Sequence, residues 1–283
     1  MTRPIPIIPR LSDWSSKPDA WLCDIWGVMH NGKTAFEDAK TACTAYRKQG
    51  GIVVLVSNAP RPAEVVAKHL ETFGITGACY DAIVTSGDVT RAIMQARTPV
   101  PFLHVGPDRD LGIFAGLGWP QANEDEAELL LCSGLHDDRL ESPDNYRDLF
   151  VGLTGRGVPM LCANPDIKVE RGDEVVYCAG ALAQLYESLG GDVTYAGKPH
   201  KPVYDAALAT IARIAGREIH KDRVLAIGDG VNTDIRGAAG VGIPSLFIAS
   251  AIHIDGPLTQ AKLDALFAPL AFKPAAAMDG LAL

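Results

Sequence analysis

The sequence predicts an α/β protein built around a mainly parallel β-sheet. Short β-rich runs alternate with helical patterns along most of the 283 residues, which is the rhythm of βαβ units. Two late runs, residues 224–227 and 245–248, are continuously apolar, as expected for strands of a sheet that is covered on both faces. A chain of this length favours two domains over one.

The same patterns assign the elements in chain order. Strands are predicted at 21–23, 52–56, 82–85, 102–105, 128–132, 160–162, 193–195, 224–227 and 245–248. Helices are predicted at 36–49 and 63–73. Residues 1–9 are interpreted as an extended arm, and the tail from residue 269 is a low-complexity segment tinged with alanine and proline.

Charge and cysteine content limit the partners and the compartment. A formal net charge of -8 repels nucleic acid and anionic membranes, so neither is an expected partner. No stretch approaches the roughly 18 uninterrupted apolar residues that a membrane-spanning helix needs. The six cysteines include no C-x-x-C pair, and several lie in apolar strand-like runs. A cytoplasmic protein without disulfides is therefore expected.

Polar residues directly follow four of the predicted strands. Ligands of an open parallel sheet bind beyond the carboxyl ends of its strands, so these residues are the candidate site. They are Asp24, Ser57 with Asn58, Lys198, and the loop Gly228-Asp229-Gly230. An isolated aspartate here would more often be a turn residue. Glycine at 27 permits a tight turn that exposes Asp24 as a nucleophile, while the Ser57 hydroxyl and the Asn58 backbone N–H could bind phosphate oxygens.

The charges of these candidates require a cation. Asp229 lies in a βα loop, because a strand precedes it and a helical pattern follows, although Asp-Gly alone would suggest a hairpin. Asp24 and Asp229 would repel each other and a phosphate dianion. Mg²⁺ suits hard oxygen ligands, and no His or Cys spacing suggests zinc. Mg²⁺ is therefore the expected cofactor, and Lys198, held at a strand-to-helix joint by Pro199, would neutralise the remaining charge.

Four ordered motifs carry a family resemblance. The chain contains, in this order, a strand followed by Asp-x-x-Gly-Val, a strand followed by Ser-Asn, then Gly-Lys-Pro, and then Gly-Asp-x-x-x-Thr-Asp. They resemble the haloacid dehalogenase (HAD) superfamily of phosphohydrolases. The long stretch between Ser57 and Lys198, with its segments 85–90, 163–166 and 179–191, is similar to the class IIA or NagD-like subgroup.

The resemblance implies a fold and a division into domains. Residues 1–80 and 196–283 would form a Rossmann-like, doubly wound parallel-sheet core, with residues 81–195 inserted as a smaller α/β cap of the C2 type. In the cap, Asn164 and Asp166 follow a strand-like run and are expected in a substrate-selecting loop, with an ordinary turn as the alternative. A homodimer is plausible by the same resemblance.

The resemblance also implies what each site residue does. Asp24 would be the nucleophile that forms an aspartyl-phosphate, and Lys198 would assist catalysis. The transferred phosphoryl group would be bound by Ser57, Asn58 and Lys198. The metal ligands would be Asp24, the backbone carbonyl of Trp26, Asp229 and Asp234.

Trp26 departs from the family pattern, in which an aspartate at this position is the general acid-base. Tryptophan can neither protonate a leaving oxygen nor activate water, and the loss of such a group costs on the order of 10²- to 10⁴-fold in rate. His30 could substitute, since imidazole titrates near neutral pH, but a histidine without catalytic consequence is the alternative reading.

The leading interpretation is Mg²⁺-dependent hydrolysis of a small phosphate monoester, such as a sugar or nucleotide phosphate. Trp26 motivates an alternative, a phosphometabolite-binding or regulatory protein with little or no turnover. Hydrolysis of a carbon–halogen or carbon–phosphorus bond ranks lower. No cap lysine of the phosphonate enzymes can be located, and the dehalogenases dispense with the carboxylates that Asp229 and Asp234 supply. A receiver domain is far shorter than this chain.

Overall fold

The computed structural model describes residues 4–14, 17–171, 174–249 and 256–283. The chain divides into two compact units. The first comprises Met1–Ser57, Ala67–Val84 and Tyr204–Leu283, and the second comprises Asn58–Val66 and Thr85–Val203. The domain boundaries at residues 81 and 195 stay a prediction beside this division. No helix among the described residues is both long enough and apolar enough to cross a membrane.

Strands and helices alternate along most of the chain, which confirms the predicted α/β class. The described strands are β1 (Ala20–Asp24), β2 (Ile52–Ser57), β3 (Ala82–Thr85), β4 (Phe102–Val105), β5 (Leu129–Cys132), β6 (Met160–Cys162), β7 (Lys168–Arg171), β8 (Glu174–Tyr177), β9 (Val193–Tyr195), β10 (Val224–Gly228), β11 (Ser245–Ile248) and β12 (Ala276–Met278). The described α-helices are α1 (Glu37–Lys48), α2 (Ala63–Thr72), α3 (Ser86–Gln95), α4 (Arg147–Gly155), α5 (Ala179–Ser188), α6 (Lys201–Ala215), α7 (Arg236–Val241) and α8 (Gln260–Phe267).

The larger sheet has six strands in the order β12-β11-β10-β1-β2-β3. The strand pairs β1–β2, β1–β10, β10–β11 and β11–β12 are parallel. Every residue of β1 and β10 is buried, which explains their continuous apolar sequences. Strand β3 belongs to this sheet although its residues fall within the predicted cap range.

The two ends of the chain extend the larger sheet. Residues 276–278 form β12, a strand that the sequence pattern did not predict. Three small or apolar residues are too few to show a period in the sequence. The N-terminal arm pairs with this strand, because Ile7 forms a parallel bridge with Ala277 and the Ile8 backbone N–H donates to the Ala277 carbonyl at 2.9 Å.

The second unit contains a four-stranded parallel sheet in the order β4-β5-β6-β9. Its core includes Phe150, Leu182 and Tyr186, all fully buried. The antiparallel pair β7–β8 was not predicted, because the charged residues of this segment resemble a loop in sequence. Helix α3 begins after Thr85, whose hydroxyl oxygen accepts the Asp88 backbone N–H at 2.9 Å as an N-cap.

Candidate active site

Three candidate residues of the first unit lie at the carboxyl edge of the larger sheet. Asp24 ends β1 and is in register with Val56 of β2, so Ser57 follows directly on the neighbouring strand. On the other side of β1, Ile227 of β10 is in register with Cys23. Asp229 lies two residues after Ile227, so it is just beyond the end of β10 and near the end of β1. The two central strand pairings therefore place Asp24, Ser57 and Asp229 at one edge, where parallel sheets bind ligands.

Three carboxylates meet at this edge. Asp24, Asp229 and Asp234 are 8%, 5% and 5% exposed, and one oxygen of each lies within 4.8 Å of the others. A helical turn at Val231–Ile235 brings Asp234 back toward the strand end. The Asp234 carboxylate accepts the Gly230 backbone N–H and the Thr233 hydroxyl, each at 3.2 Å. The predicted βα loop is confirmed, and it adds Asp234 to the cluster.

Glycines make room for these carboxylates. Gly27 has a φ of +82°, and a Cβ at this position would lie 2.1 Å from Oδ2 of Asp229. A Cβ at Gly228 would lie 2.2 Å from Cγ of Asp234. Any other residue at either position would push a carboxylate out of the cluster. Gly27 therefore permits more than the predicted tight turn, because it also admits the Asp229 side chain.

The donor set fits a hard divalent cation. Three buried carboxylates within 4.8 Å of one another are oxygen ligands without sulfur or nitrogen, the set that Mg²⁺ or Ca²⁺ prefers. Their mutual repulsion in a buried place requires a compensating positive charge or protonation. Asp24, Asp229 and Asp234 would hold such an ion, and the backbone carbonyl of Trp26 stays a predicted fourth ligand.

Trp26 is held by packing in the loop after Asp24. Its half-buried indole lies over Gly32, where a Cβ would come within 2.2 Å of Cη2. Its ring meets His30 edge to face at 5.3 Å, and the Gly27 backbone N–H donates to the His30 carbonyl at 2.9 Å. The side chain offers one indole N–H donor and no group that titrates near neutral pH.

The environment of His30 favours a packing role. The residue is 3% exposed, and its ring stacks on Phe73 at 4.6 Å. Its Nδ1 accepts the Gly32 backbone N–H at 3.0 Å. Burial, assisted by the nearby His69, lowers the pKa of His30 to about 4. A neutral imidazole with one nitrogen already bonded is poorly suited to replace the missing general acid.

Acid should destabilise the fold through His30. Its pKa is about 4 when folded and about 6.5 when unfolded, so the unfolded state binds more protons between these values and stability falls as pH drops through this window. The loss approaches about 3 kcal/mol by pH 4. Between pH 7 and pH 4, we expect the unfolding free energy of His30→Gln to fall by about 3 kcal/mol less than that of wild type. Urea denaturation of both proteins in chelator measures this difference.

The matched control is His220→Gln, because the ion pair of His220 with Asp222 lies on the surface, with the His220 side chain 83% exposed, and such pairs contribute little to stability. This variant should follow the pH dependence of wild type. Equal losses in His30→Gln and wild type would show that His30 is protonated normally in the folded state, contrary to its buried environment.

In the second unit, Asn58 and Lys198 are brought together across 140 residues. The Asn58 side-chain oxygen accepts the Lys198 backbone N–H at 2.7 Å, and its amide donates to the Lys198 carbonyl at 3.1 Å. Lys198 is 4% exposed and follows β9. The Asn58 side chain thus fixes the backbone of the lysine, a positioning role that sequence reasoning missed. The predicted phosphate contact through the Asn58 backbone N–H stays a prediction.

Asp166 belongs to the same network. Its carboxylate accepts the Asn58 amide at 2.8 Å, and its backbone N–H donates to the Asn164 side chain at 3.1 Å. A Cβ at Gly180 would lie 2.1 Å from the Pro165 carbonyl oxygen, so this loop packs tightly on α5. The Asn164 side chain therefore stabilises the turn, and the Asp166 carboxylate holds the Asn58 side chain in position. Substrate selection by these two residues stays a prediction.

A polar cluster beyond β4 and β5 had no signal in the sequence. His104 Nε2 lies 2.9 Å from the Ser133 hydroxyl, and Asp110 is 2% exposed. Burial lowers the pKa of His104 to about 4 and raises that of Asp110 to about 6.

Comparisons with known proteins identify the family. A family profile described as haloacid dehalogenase-like hydrolase matches residues 21–119, and a second, described as HAD-hydrolase-like, matches residues 195–279. The crystal structure of a haloacid dehalogenase-like hydrolase from Brucella suis 1330 is 42% identical, with a TM-score of 0.85 and coverage of 97% of this chain and 99% of that chain. This chain belongs to the haloacid dehalogenase-like hydrolases. The superfamily predicted from the four motifs is confirmed.

More distant relatives of this HAD hydrolase carry phosphatase names. A dihydroxyacetone phosphatase from Corynebacterium glutamicum (strain R) is 26% identical over 111 residues, a match that spans only 39% of this chain and 38% of the relative. An acid sugar phosphatase from Staphylococcus aureus (strain USA300) is 23% identical over 242 residues, 82% of this chain and 87% of the relative. The structure of NagD from E. coli K-12, at 19% identity and a TM-score of 0.70, covers 94% of this chain and 97% of that chain, so the fold is shared.

Proposed function

We propose that this HAD hydrolase is a Mg²⁺-dependent phosphatase of small phosphate monoesters, such as sugar or nucleotide phosphates. The observation that carries the proposal is the buried meeting of Asp24, Asp229 and Asp234 at the ligand-binding edge of the sheet. The similarity to the acid sugar phosphatase and the dihydroxyacetone phosphatase supports the same reaction class.

In the proposed reaction, the Asp24 carboxylate attacks phosphorus and the ester oxygen leaves with the bonding electrons. Water then attacks the aspartyl-phosphate, releasing phosphate and restoring Asp24. Ser57 and Lys198 would bind the phosphoryl oxygens, and the Lys198 ammonium would offset their negative charge. Bound Mg²⁺ supplies charge neutralisation, which permits two anions to approach. Because Trp26 carries no acid, the leaving oxygen takes its proton from solvent, which predicts slow turnover.

Trp26 favours a second candidate function, the binding of a phosphorylated metabolite with little or no turnover. The cluster and the Lys198 network would be retained for ligand binding in that case. Calorimetry with Mg²⁺ and phosphate monoesters separates the candidates, since tight binding without phosphate release supports the binding protein. Appreciable turnover removes it. Homodimer formation stays a prediction for either candidate.

The phosphatase proposal is tested with a panel of phosphate esters. Purified protein should release phosphate from p-nitrophenyl phosphate and from several sugar or nucleotide monophosphates in excess Mg²⁺. Chelator should lower the rate at least about 100-fold, because the loss of the ion removes several kcal/mol of charge stabilisation. Adding Mg²⁺ back controls for unfolding in chelator. Phosphate release that is unchanged by chelator, or absent from every ester, would contradict the proposal.

A further inference from the structure

A cavity of about 600 Å³ lies at the amino edge of the six-stranded sheet, within the first unit. Its lining includes Trp21 near the start of β1, Ile52 at the start of β2 and Arg223 just before β10. The carboxylate cluster lies at the opposite edge, and the five residues of β1, at about 3.3 Å each, put roughly 15 Å between the two edges. The cavity has the size of a small-molecule site and is separate from the candidate active site.

Two stacked aromatic rings form the inner wall of the cavity. The ring centroids of Trp21 and Tyr46 are 3.8 Å apart, and the ring planes differ by 5°. The Tyr46 hydroxyl donates to the Pro18 carbonyl at 2.7 Å. A Cβ at Gly51 would lie 2.3 Å from Cε1 of Tyr46, so the absence of a side chain at residue 51 makes room for the ring. The aromatic wall is therefore held in place by the fold itself.

The indole nitrogen of Trp21 is a buried donor whose hydrogen bond is not made. Trp21 is 1% exposed, and its Nε1 has no hydrogen-bond partner among the residues that the structure describes. Buried polar groups almost always have a partner, and an indole N–H can only donate. Because Trp21 lines the cavity, an acceptor atom of a bound molecule could supply this partner.

The rim of the cavity carries cationic side chains. Arg217 and Arg223 line it with side chains that are 63% and 45% exposed, and they share the Asp19 carboxylate at 3.3 and 2.5 Å. Asp19 can offset only one of the two guanidinium charges, and its oxygens accept one N–H from each. A guanidinium has five N–H donors, so both arginines keep further donors for an anion. Lys17 also lines the cavity and adds a third positive charge.

We infer that this cavity is a second ligand site, which binds a small planar aromatic molecule with a hydrogen-bond acceptor at one end and an anionic group at the other. The flat ring packs against the wall formed by Trp21 and Tyr46. The acceptor takes the buried Trp21 N–H, and the anionic group pairs with Arg217 and Arg223 at the rim. The site uses none of the residues of the proposed reaction, so it stands whether or not the protein is a phosphatase.

The test is a titration with quinoline-6-carboxylate, in which the ring nitrogen and the carboxylate lie at opposite ends of a flat two-ring system. Isotope labelling of the four tryptophans gives one indole N–H signal each by NMR, and replacing Trp14, Trp26 and Trp119 in turn with phenylalanine identifies the Trp21 signal by elimination. In chelator, the signals of Trp21 and Trp14 should shift, because both residues line the cavity. The signal of Trp119, which lies in the second unit, should stay in place.

Two analogues are the matched ligand controls. Naphthalene-2-carboxylate lacks the ring nitrogen and should bind about 2- to 10-fold less tightly, the value of one neutral hydrogen bond. Quinoline-6-carboxamide lacks the charge and should bind about 10- to 100-fold less tightly, the value of a hydrogen bond to a charged group. These ratios are ratios of dissociation constants, which the same titrations measure.

Two arginine substitutions locate the anionic end of the ligand. Arg223→Met removes a guanidinium from the rim and should weaken quinoline-6-carboxylate by about 10- to 100-fold. Arg213→Met is the matched control, because Arg213 is an exposed residue in the last turn of α6 that does not line the cavity. Thermal unfolding checks that each variant is folded, and Arg217→Met takes the place of Arg223→Met if the latter is not.

Three results would overturn the inference. The first is a Trp21 signal that does not move at millimolar quinoline-6-carboxylate. The second is equal binding of the carboxylate and the carboxamide, or equal affinity of the rim variant and Arg213→Met. The third is a shift confined to Trp26, which would place the ligand beside Asp24. Binding at the cavity without phosphate release from any ester would instead sink the proposed function and leave this inference intact.

Discussion

Replacing Trp26 with aspartate is expected to raise the rate of phosphate release by about 10²- to 10⁴-fold. The loop holds residue 26 two positions after Asp24, and a carboxylate there could protonate the leaving oxygen and then activate water. The gain should be larger for alkyl phosphates than for p-nitrophenyl phosphate, because nitrophenolate leaves without needing a proton. Measuring kcat for both esters in wild type and Trp26→Asp checks the size and the leaving-group dependence.

Trp26→Asn is the matched control for this prediction. Both substitutions remove the indole from Gly32 and His30, so they lose the same packing and open the same space. The amide can neither donate a catalytic proton nor accept one, so Trp26→Asn should not gain the rate. Equal gains in the two variants would show that the tryptophan obstructs the substrate, and the acid-base explanation would be wrong.

Asp24→Asn should abolish phosphate release, with a loss on the order of 10³-fold or more. An amide oxygen is a poor nucleophile and cannot form the aspartyl-phosphate. The same change should raise the melting temperature in chelator, because it removes one of three buried carboxylates that lie within 4.8 Å of one another. Stabilisation of the protein by added Mg²⁺ should shrink correspondingly. Steady-state kinetics and thermal unfolding with and without Mg²⁺ measure both effects.

Asp38→Asn provides the comparison for Asp24→Asn. Asp38 is an exposed carboxylate in the first turn of α1, away from the cluster, so this variant should keep both the activity and the Mg²⁺ stabilisation of wild type. An Asp24→Asn protein that releases phosphate as fast as wild type would rule out Asp24 as the nucleophile. Unchanged stability in chelator would show that the three carboxylates do not repel in the folded protein.

Strand prediction succeeded where strands are buried on both faces. The run 224–227 was predicted from continuous apolar residues, and β10 occupies Val224–Gly228 with every residue buried. It failed at β7, β8 and β12, whose short sequences contain charges or only three small or apolar residues. A local pattern cannot distinguish such strands from loops, because their pairing depends on partners elsewhere in the chain.

The candidate site was predictable in part because strand ends converge. Asp24 and Asp229 each follow an apolar strand, and parallel pairing alone brings such residues to one edge. The contacts of Asn58 were not predictable, since its partners Asp166 and Lys198 lie 108 and 140 residues away in sequence.

The sequence by itself determined the class of fold, the family and the residues that carry the proposed chemistry, since apolar periodicity and ordered motifs are properties of short segments. Tertiary structure alone decided that Gly27 makes room for Asp229 and that His30 packs as a neutral ring. These facts depend on distance and desolvation between segments far apart in the chain, which sequence order does not encode.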